Sequence, residues 1–181
     1  GIRDSSVTGV QRVLFRSKPL QMLKALIALG GKQVNEEQLT DLLWPEADGD
    51  QAHSAFSTTL SRLRRFIGCD KAIEINGGMA SLNPRYCWVD AWAFEDISRQ
   101  VNHLLERTGE TGNIESRESE NIIQLAERAI RMYDGTFLPD EGNQPWILPL
   151  RERLKNRFVR LVTRFGTTLE TMEKWEKAAE Y

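Results

Sequence analysis

The chain contains few residues of the kinds on which metal sites and nucleophilic catalysis depend. Among its 181 residues there are only 2 cysteines, Cys69 and Cys87, and 2 histidines, His53 and His103. Because the cysteines show no CxxC spacing and the histidines are far apart, neither pair has the pattern of a zinc site. We therefore expect no metal, no cofactor, and thiols that stay free in a reducing cytoplasm.

Membrane-spanning segments and catalytic motifs are also missing. The longest apolar runs are far shorter than the roughly 20 residues that cross a bilayer, and there is no secretory signal pattern. A Gly-rich phosphate loop, a nucleophile elbow and a paired motif of histidine and carboxylate are absent too. These absences argue against an enzyme and predict a cytoplasmic globular protein that does not contact a membrane.

The sequence has no excess of positive charge. The chain has 24 Lys and Arg against 26 Asp and Glu, a formal net charge of −2, and Pro19–Val89 holds seven of the former and eight of the latter, a balance of −1. Domains that bind nucleic acids are usually strongly basic. A nucleic-acid-binding function would therefore require positive charge concentrated in one place, and it would give a single copy only modest affinity.

The first half of the chain predicts three helices, of which two are recognised by their ends. Pro19–Leu29 has apolar residues at helical spacing and stops at Gly30-Gly31. A second helix begins after Asn35, a capping residue with Gln38 at the position of a capping-box partner, and it ends at Pro45.

The third segment, from Asp50 to Gly68, predicts a helix with two unlike faces. One face is an apolar stripe formed by Ala52, Phe56, Leu60, Leu63 and Ile67. The other is small, hydroxylated and basic. It carries Ser54, Ser57, Thr58, Ser61 and Arg65, with Arg62 at its edge, and the three arginines Arg62, Arg64 and Arg65 add positive charge at one end. Short hydroxyls and arginines suit a helix at residues 50–67 that lies in a DNA major groove. An ordinary amphipathic helix with a solvated end would show the same pattern.

A hairpin signal follows the third helix. Ala72–Leu82 places two short strand-like runs around Asn76-Gly77-Gly78. Three helices and then a hairpin is the order of a winged helix-turn-helix, in which the third helix reads DNA and the hairpin is the wing. The predicted fold class is mainly α with a small β component.

The second half predicts a helical domain at 90–181 after a first domain at 1–89. Its helices are expected at Val89–Arg107, Glu120–Tyr133 and Trp146–Glu170, with loops at 108–119 and 134–144. Paired helices of this kind stack on neighbours that cover their apolar faces. Because MEKWEKAAEY (172–181) opens another helix, we expect the parent protein to continue beyond it.

The last long helix is crowded with basic residues, namely Arg151, Arg153, Lys155, Arg157, Arg160 and Arg164. A second contact with nucleic acid is one interpretation. A solvated face laced with salt bridges to nearby acids is the one we expect. We also expect packing anchors, rather than platforms for stacked bases, from the tryptophans Trp88, Trp92, Trp146 and Trp175.

Several motifs, in this order and spacing, resemble known families. The first half resembles the OmpR/PhoB-type winged helix as found in SARP-like regulators, through LKALIALGGKQVNEEQLTDLLWP (Leu23–Pro45), TLSRLRRFIG (Thr59–Gly68) and NPRYCWVDAWAFE (Asn83–Glu95). The second half resembles the bacterial transcriptional activator domain, a TPR-like helical module that follows such winged helices. This second resemblance is carried by YDGTFLPDE (Tyr133–Glu141), Trp146 and LRERLKNRF (Leu150–Phe158).

The resemblance implies a DNA-binding transcriptional regulator. Its implied partners are double-stranded DNA, RNA polymerase or another protein domain, and a second copy of the chain as a homodimer on DNA. The residues expected at the DNA are Ser54, Ser57, Thr58, Ser61, Arg62, Arg64, Arg65 and Arg85.

Two positions depart from the family pattern. Family members often carry a large polar or basic residue where this chain has Ser57. The hairpin tip, Asn76 to Met79, lacks the arginine that is common there, so no arginine at the tip can enter the minor groove. These departures keep open an alternative function, a protein-interaction or signalling module whose winged helix does not bind DNA and whose helical half docks a partner.

The N-terminal residues carry a separate expectation. Val7–Ser17 resembles an in-frame translation of a short-read sequencing adapter. In that case residues 1–18 include an artefact, whose recognisable stretch ends at Ser17, and neither Arg12 nor Arg16 bears on function. The alternative is a natural strand, since VQRVLF alternates between apolar and polar residues.

Overall fold

A computed structural model describes residues 17–111 and 116–181, and within them it contains seven α-helices and one antiparallel sheet of three short strands. The fold class is therefore mainly α with a small β component, as the sequence predicts. The adapter-like stretch and the alternative strand VQRVLF lie outside the described residues, except for Ser17. The chain divides into two compact units, Gly1–Trp88 and Val89–Tyr181.

Two helices of the first unit begin or end at residues that favour a helix terminus. The helices of this unit are α1 (Lys18–Ala28), α2 (Glu36–Leu43) and α3 (Gly49–Ile67). Asn35 caps α2, because its side-chain Oδ1 accepts a hydrogen bond from Glu37 N at 2.8 Å. Helix α3 ends at Gly68, whose φ of 76° is the left-handed conformation that glycine adopts without strain.

A three-stranded sheet contains the predicted hairpin. Strands β2 (Ile73–Asn76) and β3 (Met79–Leu82) pair antiparallel, with Ile73 opposite Leu82. Gly77 and Gly78 both have positive φ, 57° and 74°, as a two-residue type I′ turn requires. The hairpin prediction is confirmed. The sheet also includes β1 (Val34–Asn35), which pairs with β3 at its other edge and which the sequence analysis did not foresee.

The core of the first unit lies between these helices and the sheet. Helix α3 packs on α1 and α2, and its C-terminal end is followed by a 3₁₀ turn, Asp70–Ala72, that leads into β2. The fully buried side chains come from all of these elements and include Met22, Leu26, Leu39, Leu63 and Ile73. The hydrophobic burial of α3 therefore fixes which of its faces points outward.

The second unit is helical throughout its regular elements. These are α4 (Asp90–Thr111), α5 (Ser116–Met132), a 3₁₀ turn (Pro139–Glu141), α6 (Leu148–Thr171) and α7 (Trp175–Ala178). Helix α4 packs on α5 and α6, and α6 packs on α7. The half-buried ring of Tyr133 stacks on Phe158 with centroids 4.3 Å apart and lies 5.5 Å from the buried ring of Phe94.

The loop predicted at 108–119 is wrong at both ends. Helix α4 continues through Thr111 and α5 already begins at Ser116. One glycine inside a helix costs only about 1 kcal/mol, so Gly109 does not end α4. The polar start of α5 is compatible with a helix because Glu118, in the first turn, interacts favourably with the helix dipole. Only residues 112–115 lie between the two helices.

The basic residues of α6 mostly bond within the protein. Arg153 contacts Glu95 of α4 with Nε and Oε1 2.7 Å apart, and Arg164 contacts Glu106 of the same helix at 3.1 Å. The expectation of a face laced with salt bridges is confirmed for these arginines. Lys155 and Arg160 point outward and are exposed.

Two tryptophans are not the packing anchors expected from the sequence. Trp88 is 74% exposed and Trp175 is 62% exposed. Trp88 lies in the irregular segment after the hairpin, and Trp175 begins a helix of only four residues. Trp92 and Trp146 are half-buried. Within residues 17–111 and 116–181 no helix combines the length and the apolar character needed to cross a bilayer.

Candidate nucleic-acid interface

The outward face of α3 carries most of the residues predicted at the DNA. The apolar stripe points inward as expected, with Ala52, Phe56, Leu60 and Leu63 buried and Ile67 half-buried. The opposite side is exposed, and because each residue advances a helix by about 1.5 Å it extends over about 16 Å. The exposed residues on it are Ser54, Ser57, Thr58, Ser61, Arg62 and Arg65.

This exposed side forms two parallel rows of the same chemical pattern. Residues four apart on a helix lie above one another. The first row is Ser54, Thr58 and Arg62, and the second is Ser57, Ser61 and Arg65. Each row therefore presents two hydroxyls and then a guanidinium, without a bulky side chain before the arginine.

The charge along α3 runs from negative to positive. Its only carboxylate is Asp50, in the first turn, and Arg62 and Arg65 lie toward the last turn. The helix dipole favours both placements even without a ligand, because carboxylates are stabilised near the N-terminus and cations near the C-terminus. The positive end is therefore available to an anion at no cost to the helix.

Arg64, which was also expected at the DNA, is half-buried and is bonded to the sheet instead of lying on this exposed side. Its Nε and Nη2 both donate to the backbone oxygen of Ile73, at 3.2 and 2.6 Å, so it braces α3 against the first residue of β2. The side chain is half-buried. Helical spacing already contained this signal, because Arg64 follows Leu60 of the apolar stripe by four residues.

Arg85 is exposed but lies on a different element from the two rows. It is in the turn after β3, where its backbone N donates to Asn83 Oδ1 at 2.9 Å. Asn83 in turn donates from Nδ2 to Glu74 Oε1 at 2.6 Å, which ties the turn to β2. The tip of the hairpin, from Asn76 to Met79, is exposed and uncharged. Arg85 is therefore the exposed cation that follows the hairpin.

A groove lies along each row of α3. The first has a volume of about 600 Å³ and is lined by Ser54, Thr58 and Arg62 of the first row together with Lys18 of α1, and also by Trp44, Asp50, Gln51, Ala55 and Thr59. The second measures about 430 Å³ and is lined by Ser57 and Ser61 of the second row and by Leu60, Arg64 and Asp70. Lys18 is a candidate functional residue that sequence analysis missed, because nothing local connects it with α3.

A polar contact joins α2 to α3 beside these rows. Nδ1 of His53 lies 2.6 Å from Oε1 of Glu36. The carboxylate of Glu36 is mostly buried, whereas the imidazole of His53 is mostly exposed. The contact holds the N-terminal half of α3 against the start of α2 and so helps to set the direction in which both rows point.

The two cysteines are half-buried free thiols, and they flank the 3₁₀ turn after α3. Cys69 precedes the turn, and the Sγ of Cys87 donates to the backbone oxygen of Ala72 at 3.5 Å. In the part of the chain that the structure describes, no cluster of histidine, cysteine and acidic residues is arranged to hold a metal ion.

Alkylation of Cys87 will be slow at neutral pH and will accelerate only at alkaline pH. Burial raises the pKa of the Cys87 thiol above its usual value of 9.0, and the proximity of Cys69 raises it further. Because only the thiolate reacts, the rate of iodoacetamide labelling in a Cys69→Ser variant should reach half its maximum above pH 9.0. Because the pKa of Cys87 is higher in the folded state than in the unfolded state, this thiol contributes to stability at pH values below 9.0. That contribution to stability is lost as the pH rises through the pKa of the folded state. A midpoint at or below the usual thiol value would contradict the burial of Cys87.

Comparison with known proteins does not identify a family for this chain. No protein-family model matches the chain, and no curated protein matches it. What the molecule offers toward a function is the exposed side of α3 and the motifs of its sequence.

Proposed function

We propose that the chain is a DNA-binding transcriptional regulator in which α3 lies in the major groove of a duplex. The observation that carries this proposal is the exposed side of α3, with two rows of short hydroxyls that each end in an arginine. Hydroxyls and guanidinium groups donate to phosphates and to base edges, and short side chains let a helix backbone approach the groove closely.

The order of elements supports a winged helix-turn-helix. Helices α2 and α3 follow each other through a turn at residues 44–48, and the β2–β3 hairpin follows α3. In that arrangement the third helix is the reader, α2 crosses the backbone, and the hairpin is a wing that lies beside the duplex. Because the wing tip is uncharged, we expect the wing to contact only the phosphate backbone of the DNA. Arg85, in the turn after β3, would make this contact.

The second unit is proposed to serve protein contacts. Its packed helices, and the motifs by which it resembles a bacterial transcriptional activator domain, support a TPR-like module. Its partner would be RNA polymerase, another protein domain or a second copy of the chain. A second copy on DNA would double the number of phosphate contacts, which would compensate for the lack of excess positive charge over Pro19–Val89, where the balance is −1.

Selection from a random pool of duplexes, followed by titration across salt, tests the proposal. We expect enrichment of a short sequence motif and a Kd that rises with salt concentration. Each phosphate that the protein neutralises contributes about −0.9 to the slope of the logarithm of the association constant against the logarithm of the salt concentration. A slope of about −2 to −4 per copy matches the few exposed cations of the first unit. No enrichment, or an affinity that does not change with salt, would remove the proposal.

The second candidate function is a protein-interaction module. It is favoured by the balance of −1 over Pro19–Val89 and by the exposed, uncharged hairpin tip from Asn76 to Met79. A chain that folds but binds neither selected nor mixed duplexes would favour this candidate.

A further inference from the structure

We propose that Lys18 forms a phosphate site with the first row of α3, so that this row contacts the DNA backbone and the second row faces the bases. The inference rests on the proposed function and assigns different roles to the two rows. It starts from the first groove, in which Lys18 and Arg62 both lie.

The side chain of Lys18 is held at the rim of this groove by two contacts. Its Nζ donates to the backbone oxygen of Leu43 at 2.6 Å and lies 5.7 Å from the centroid of the Trp44 ring. An ammonium group has three N–H donors, so the bond to Leu43 leaves two for a ligand. A long side chain that is already positioned loses less conformational entropy when it binds an anion.

The first row of α3 completes the site. Ser54, Thr58 and Arg62 are exposed and line the same groove as Lys18. Among the described residues, no carboxylate forms an ion pair with Arg62 or Lys18. The groove therefore has two cations and the two hydroxyls of the first row as hydrogen-bond donors. The oxygens of a phosphodiester accept hydrogen bonds from groups of these kinds.

One carboxylate in the groove repels an anion but does not outweigh the positive charge there. Asp50 also lines the groove, from the first turn of α3. Its placement is stabilised by the helix dipole there. With Lys18 and Arg62 against Asp50, the charged groups that line the groove leave an excess of one positive charge.

The second row lacks an equivalent partner. The groove beside Ser57 and Ser61 is lined by Arg64, which already bonds to Ile73 O, and by the acidic Asp70. A phosphate is therefore disfavoured on that side, and the row that ends in Arg65 is left to contact base edges. The duplex must then lie with one backbone strand along the Lys18 groove.

The two roles make different predictions for binding. Removal of a phosphate contact weakens binding equally on every sequence and reduces the salt slope by about 1, whereas removal of a base contact relaxes the preference at particular positions. We expect Lys18→Gln to raise the Kd about 3- to 10-fold, by the same factor on a selected duplex and on a scrambled duplex of equal length. Arg65→Gln should instead weaken the selected duplex far more than the scrambled one.

Lys32→Gln is the matched control, because Lys32 is exposed in the same unit and removes the same charge away from the groove. Lys18→Arg should retain binding, and Arg62→Gln should reproduce the sequence-independent loss if Lys18→Gln folds poorly. An unchanged salt slope in Lys18→Gln, or a loss confined to the selected duplex, would overturn the site while leaving the proposed function intact. Failure of the unaltered chain to bind either duplex would remove both.

Discussion

Replacing Arg62 and Arg65 together with alanine will abolish DNA binding at physiological salt and leave the fold intact. Both side chains are exposed on α3, one at the end of each row, and neither contributes to the buried stripe on the other side of the helix. A guanidinium that contacts a base or a phosphate is worth about 1–3 kcal/mol, so losing two should weaken binding at least about 30-fold, which takes the modest affinity expected of this chain below detection. Fluorescence anisotropy with the selected duplex, beside thermal unfolding of the same sample, measures both effects.

The matched control for this double variant is Lys155→Ala with Arg160→Ala. These residues are also exposed on a helix, α6, and the change removes the same formal charge from the other unit. We expect wild-type affinity from the control. If the control weakens binding as much as the double variant does, net charge and not the surface of α3 governs the interaction. Unchanged affinity in the double variant would move the contact surface away from α3.

Arg64→Ala separates binding from folding. Its guanidinium is bonded to Ile73 O, so its removal leaves a buried acceptor unpaired and should lower the free energy of unfolding by about 1–3 kcal/mol. We expect this variant to lose thermal stability, unlike the Arg62 and Arg65 pair. Three arginines within four residues would then divide between binding, by Arg62 and Arg65, and folding, by Arg64.

Local chemistry was sufficient to predict helix α3 and the hairpin. The stripe from Ala52 to Leu63, the Asn35 cap and the Gly77-Gly78 turn each depend on contacts within a few residues, and all of them are present in the structure. Such features follow from helical spacing, from a free backbone N–H at a helix start and from positive φ at glycine. They are therefore legible in a single sequence.

The features that sequence reasoning missed depend on distant partners. Strand β1 is only two residues long and exists because β3 pairs with it, so it has no alternation of its own to detect. Lys18 reaches the first groove through a bond to Leu43, which is twenty-five positions away. The sequence shows that Arg64 follows Leu60 of the apolar stripe by four residues, but it does not show that Ile73 O accepts its hydrogen bonds. The candidate site was thus predictable as one helix face, whereas the two differently lined grooves beside that face depend on the packing around it.

Arg151→Ala will release the segment between α5 and α6 and destabilise the second unit. The guanidinium donates from Nε to Phe137 O at 2.7 Å and from Nη1 to Gly142 O at 2.6 Å and Asn143 Oδ1 at 3.3 Å, and Nη2 bonds to the oxygen of Leu138. Leu138 has a φ of 49°, a left-handed conformation that costs a leucine about 1–2 kcal/mol. One side chain therefore holds a strained segment by three carbonyls and an amide. It also joins the two motifs, YDGTFLPDE and LRERLKNRF, that resemble the activator domain.

The expected loss is about 2–4 kcal/mol in the free energy of unfolding, because charge-assisted hydrogen bonds contribute about 1.5–3 kcal/mol each and this side chain is only half-buried. Arg151→Lys should recover little, since a single ammonium cannot match the fork of a guanidinium across four acceptors. Arg160→Ala, an exposed change on the same helix, should stay within about 0.5 kcal/mol of the unaltered chain. Urea unfolding measures the energies, and hydrogen exchange of the Glu141 backbone amide, which donates to Leu138 O at 3.2 Å, measures the local release. If that amide keeps its protection in Arg151→Ala, the segment is held by its own backbone geometry and the arginine is incidental to it.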